Sequence, residues 1–112
     1  MNNFANIIIL PRGTLSETAA LLGRALGQIT FEEDTRRTFD EYPAYVAEHD
    51  GLRYALLGVP APEDDIRDDP SDNFELIVRP ILSKIGGVRV DISDDLIVRI
   101  RASGLLECQL LG

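Results

Sequence analysis

The amino-acid sequence predicts an α+β domain: a mostly antiparallel or mixed sheet of about five to six strands, with a central hairpin at 44–58 and one or two helices packed on it. Three observations carry that expectation. Asp50-Gly51, a favoured two-residue turn, separates two runs of alternating apolar and polar character. Thr14 and Glu17 stand at capping-box spacing ahead of an apolar stripe of helical period. The other apolar runs are short and are broken by Gly, Pro and acidic residues. With 112 residues and 45% hydrophobic content, the chain reads as a single domain, 1–112, able to build a core without disulfides or a structural metal.

Taken in order, Phe4 to Leu10 is a short β-branched strand stopped by Pro11-Arg12-Gly13. A helix follows from Thr14, with Leu15, Ala19, Leu22 and Leu26 on one stripe and Gly27 as its terminator. Gly23 inside that helix costs about 1 kcal/mol against Ala, which marks it as a place of close packing. Ile29 to Glu33 is a candidate short strand, and Asp34 to Asp40 is polar and irregular.

Folding about Asp50-Gly51 pairs His49 with Leu52, Glu48 with Arg53, Ala47 with Tyr54, Val46 with Ala55 and Tyr45 with Leu56. In this register Tyr45, Ala47, His49, Leu52, Tyr54 and Leu56 share a face, and the other face carries an opposite-charge pair. A slip of one residue destroys both features. A competing reading makes Pro43 to Glu48 a short helix with proline in its first turn. Pro60 to Asn73 is a loop broken by three prolines, and Pro80 to Gly87 is a connection. Phe74 to Arg79 and Val88 to Ile92 are strands. Ser93 to Gly104 fits two states. Its alternation of Leu96, Val98 and Ile100 suits a strand. As a helix it has Ser93 as N-cap, Asp94 and Asp95 in the first turn, Leu96, Ile97 and Ile100 inward and Gly104 as terminator, and the helix is preferred. Leu105 to Leu111 closes the chain as a strand.

The charge balance is the dominant global feature. Nineteen acids against eleven bases give −8, which repels nucleic acid and anionic membrane and attracts cationic surfaces. The one cysteine, Cys108, is flanked at two positions by Leu106 and Leu110 and reads as a buried, inert thiol. A lone cysteine and the lack of a basic leader or a spanning apolar run lead to the expectation of a cytoplasmic protein.

Known chemistries find little footing. One His and one Cys cannot build a zinc site, and the acidic loop lacks the ligand ladder of a calcium loop. His49, the only histidine, falls at the hairpin turn in a structural place, and Cys108 has no basic neighbour in sequence to activate it. Gly86-Gly87 lacks a phosphate-loop pattern, and Arg36-Arg37 and Arg99 with Arg101 are isolated basic pairs among acids. The expectation is therefore of no enzyme, no cofactor and no metal.

What remains is where the acids sit. Glu63, Asp64, Asp65, Asp68, Asp69 and Asp72 face only Arg67, which is −5 in ten residues. Glu32, Glu33 and Asp34 form a second group, and Asp91, Asp94 and Asp95 a third. Like charges held close repel one another, so concentration of this kind points to a potential that is used, by focusing a field on a basic partner. The same clusters equally suit a solvated acidic loop.

Tyr42-Pro43-Ala44-Tyr45-Val46-Ala47-Glu48, followed by Gly51 to Pro60, resembles immunity proteins of contact-dependent growth inhibition and related bacterial polymorphic toxin systems. The tail, from Val90 to Ser93 through Gly104 to Cys108, has a similar look. The resemblance covers about half the chain and transfers no functional residue by position. It implies a protein that binds a cognate toxin domain, often a nuclease, and covers its basic active-site surface with carboxylates. On that reading the first interface candidates are Asp64, Asp65, Asp68, Asp69 and Asp72 with Glu63 beside them. Glu32, Glu33 and Asp34 come second, with Tyr42 as an aromatic anchor. The rival reading is an acidic adaptor or nucleic-acid mimic with no link to a toxin.

Overall fold

The computed structural model describes residues 2–35, 42–59, 73–81 and 87–110. The fold is α+β. Among the described residues seven strands form one mostly antiparallel sheet: β1 (Asn2–Ile9), β2 (Glu32–Glu33), β3 (Ala44–His49), β4 (Leu52–Leu57), β5 (Phe74–Pro80), β6 (Arg89–Asp91) and β7 (Cys108–Leu110). The order is β2-β3-β4-β5-β1-β6, and β7 also pairs with β1. Two helices, α1 (Leu15–Ala25) and α2 (Ser93–Ser103), pack on one face.

The hairpin has the expected register, from Ala44↔Leu57 to His49↔Leu52. Its turn places Asp50 at φ 50° and Gly51 at φ 76°, the left-handed pair that matches strand twist. The helical alternative for 43–48 is excluded by this ladder. Alternation then sorts the sheet into two faces. Ala5, Ile7, Ile9, Ala47, Tyr54, Leu56, Phe74, Leu76 and Val78 are buried under the helices with Leu22, Leu96 and Ile100. His49 lies at the same face's edge, exposed, with Nε2 3.3 Å from an Asp50 carboxylate oxygen.

Helix α1 begins at the expected cap. The Thr14 hydroxyl accepts the Glu17 N–H, and the Glu17 carboxylate accepts the Thr14 N–H. These bonds hold the Glu17 carboxyl below its ordinary pKa. After Leu26 the chain reverses through two left-handed residues, Gly27 (φ 94°) and Gln28 (φ 70°). The Ile29 N–H then returns to the Gly23 carbonyl at 2.9 Å. That return explains why β2 is only Glu32–Glu33: Ile29 is committed to α1 and cannot join the ladder.

Ser93 to Gly104 is helical, as the end signals suggest, and Gly104 ends α2 at φ 72°. The cap itself differs from expectation. Ser93 is the first helical residue, not the N-cap. Its hydroxyl accepts the Asn6 N–H at 3.2 Å, while its own N–H goes to the Asp91 carboxylate at 2.9 Å. The reason lies in β1. Its outer edge is divided between β6, parallel over Asn2–Phe4, and β7, antiparallel over Ile7–Ile9. Ser93 fills the gap between them. The shared edge leaves three residues to each partner strand, fewer than the sequence pattern suggested.

Candidate functional site

The sheet face opposite the two described helices carries side chains that share rows by register. One row is Glu32, Val46, Ala55 and Ile77, and the next is Glu48, Arg53 and Arg79. Ala55 is the reason the surface dips: a methyl lies between the larger Val46 and Ile77. Ala44, Ala55 and Leu57 form a small second cluster on this face, with Tyr42, Val46 and Ile77 packed against it. The result is a concavity of about 710 Å³.

Its rim is charged. Glu32, Glu33 and Asp34 border it from the β2 side and Glu48 from β3, with Arg53 and Arg79 toward the sheet centre. Asp34 stays in line because its N–H donates to the Ala44 carbonyl at 2.8 Å. Glu33 alternates to the helix side of the strand, opposite Tyr45, so the trio does not present three carboxylates to one side.

The two arginines differ. Arg79 is turned toward β1. One terminal nitrogen donates to the Ala5 carbonyl at 3.2 Å and to its neighbour's, Val78, at 2.8 Å, and the other reaches Asn6 Oδ1 at 3.3 Å. Arg53 lies 3.5 Å from Glu48, both side chains more than half exposed. Such a pair is worth little, about 0–1 kcal/mol, and exchanges partners readily. Neither Glu32 nor Glu33 forms an ion pair with another described residue. Glu75 sits on the same sheet face, opposite Leu57. Burial pushes its carboxyl above the ordinary range, opposed by nearby Arg79.

Elsewhere arginines brace the backbone. Arg99 donates to the Leu26 carbonyl at the end of α1, Arg101 to Cys108 and Arg12 to Leu105. The third acidic group is local in its work: hydrogen bonds from Ser93 hold Asp91 below its ordinary pKa, and Asp94 and Asp95 occupy the favourable first turn of α2.

Of the residues singled out in the sequence, Glu32, Glu33 and Asp34 come together at the concavity. Tyr42 is partly buried against the second cluster, and Tyr54 is 4% exposed under the helices. Glu63, Asp64, Asp65, Asp68, Asp69 and Asp72 lie outside the described residues. Glu48 and the Val46-Ala55-Ile77 floor were not picked out as a site. The hairpin register already put Val46, Glu48, Arg53 and Ala55 on one face. The pairing of β5 and β2 against that hairpin was not visible.

Among the described residues no three His, Cys, Asp or Glu side chains gather in a way that could hold a metal ion. Cys108 is 2% exposed, and burial raises its thiol pKa. No helix of the described residues is long and apolar enough to cross a membrane. Comparison with known protein families, with characterised proteins and with solved structures finds no match to this chain.

Proposed function

We propose that this chain is a non-catalytic binding module that captures a basic protein, and that its partner is a bacterial toxin domain, a nuclease being the case its charge suits best. The observation that carries the reading is the sheet face opposite the two described helices, where Glu32, Asp34 and Glu48, with Arg53 and Arg79, border a depression floored by Val46, Ala55 and Ile77. Carboxylates beside desolvated apolar floor suit an interface in which charge speeds encounter and a few buried contacts hold the complex. A nuclease cleft must attract phosphate and is therefore basic, and an inhibitor rich in carboxylates occupies it as the substrate backbone would. The resemblance to immunity proteins of contact-dependent growth inhibition agrees with this reading, as does the net charge of −8.

The reading predicts that a basic toxin-like domain is encoded directly upstream, and the test is co-expression of this chain with that domain. Rescue of growth and co-purification of the two chains support the reading. A domain that stays toxic and fails to co-purify rules it out. Recovery of several unrelated DNA- or RNA-binding proteins instead favours a general nucleic-acid mimic.

A further inference from the structure

We infer that the concavity is a receptor for an arginine side chain of the partner, its stem on Val46, Ala55 and Ile77 and its guanidinium between Glu32 and Glu48. This deepens the reading of the chain as a binder of basic protein and rests on it.

The register supplies the geometry. Glu32 pairs with Val46, and Glu48 lies two residues along the same strand face. Diagonal neighbours of this kind lie roughly 7–8 Å apart, their Cβ atoms somewhat closer. Two carboxylates at that spacing can close on one planar guanidinium, whose donors fan outward in a fixed fork. The apolar row begins beside them: Val46, Ala55 and Ile77 are successive partners across β3, β4 and β5. A long aliphatic stem covers such a row while its head stays at the wet rim. Arginine satisfies both halves, an apolar stem for the floor and a cation for the rim.

The resident arginines leave the place open. Arg79 is held on the Ala5 and Val78 carbonyls and on Asn6, away from Glu32. Arg53 touches Glu48 at 3.5 Å with both side chains exposed, and an incoming guanidinium can displace it. Of the two acids on this face of the rim that flank the floor, Glu32 forms no ion pair with another described residue and Glu48 is held weakly. Acids on α2 offer a useful contrast. Asp94 and Asp95 are equally exposed but stand at a helix start, with no apolar floor beside them in the register.

The experiment is an NMR titration of the full chain with a tri-arginine peptide, with tri-citrulline as the uncharged isostere. The expected result is saturable shifts of the Val46, Ala55 and Ile77 methyl groups with tri-arginine and none with tri-citrulline. The double variant Glu32→Gln/Glu48→Gln should bind roughly three- to tenfold more weakly. Asp94→Asn/Asp95→Asn removes the same charge and should leave the methyl shifts in place. Both variants are isosteric, and their amide spectra report folding directly. Shifts spread over the surface, or equal weakening by the two variants, overturn the arginine site while leaving capture of a basic protein standing. Absence of binding overturns the site too, and co-expression with the upstream domain then decides the broader reading on its own.

Discussion

Replacing Gly23 with alanine sets two effects of opposite sign against each other. In an ordinary helix interior the change gains about 1 kcal/mol from propensity. Here a Cβ at residue 23 would lie 2.1 Å from the Ile29 carbonyl oxygen and 3.3 Å from its carbon. An ordinary contact begins near 3.4 Å, so the backbone of residue 29 must retreat by more than 1 Å. That retreat pulls on the Ile29 N–H bond to the Gly23 carbonyl. Over-packing typically costs about 1–3 kcal/mol, and a strained hydrogen bond adds about 1 kcal/mol. The net expectation is destabilisation by about 2 kcal/mol. Urea unfolding of Gly23→Ala, beside Ser16→Ala on the exposed side of α1, measures it. The displaced segment runs directly into Glu32–Glu33, so amide shifts at β2 should accompany the loss. A Gly23→Ala variant as stable as the parent would refute the close approach and with it the explanation for the short β2.

Other perturbations test other joints. Thr14→Ala should cost about 1 kcal/mol and let the Glu17 carboxyl titrate closer to its ordinary value, read by NMR pH titration. Gln28→Gly should stabilise by about 0.5–1 kcal/mol in the same urea assay, because Gln28 carries a side chain at φ 70°. Acid unfolding should show two signs. The lowered pKa values of Glu17 and Asp91 contribute stability above their unfolded values that is lost as pH falls through their folded ones. The raised pKa of Glu75 works the other way: its ionised form is disfavoured in the fold, and protonation as pH falls relieves it. Glu75→Gln should therefore be more stable than the parent at neutral pH, a gain that shrinks as pH falls through the carboxylate range in calorimetric scans.

Elements whose signals were local could be read from the sequence. The hairpin checks its own register, because Glu48 opposite Arg53 and the apolar face agree on one alignment. Helix α1 announces its start through Thr14 and Glu17. Ser93 to Gly104 is a helix despite its β-branched residues because Leu96, Ile97 and Ile100 reach the core together only in that state, although Ser93 does not cap it. Misjudged lengths trace to distant partners: β6 and β7 share the edge of β1, and Ile29 is held by Gly23. Counting charge along the chain found Glu32 and Asp34. It passed over Glu48 and the apolar floor, since a row across β2, β3, β4 and β5 joins residues from 32 to 79. The densest acidic run, residues 63 to 72, lies outside the described residues.

Salt dependence of partner affinity tests the central claim most directly. Binding of this chain to the basic domain that the proposed function places upstream should weaken steadily with added salt, and Glu32→Gln/Glu48→Gln should lower both the affinity and that slope. An affinity indifferent to salt and to both substitutions would contradict capture through these carboxylates.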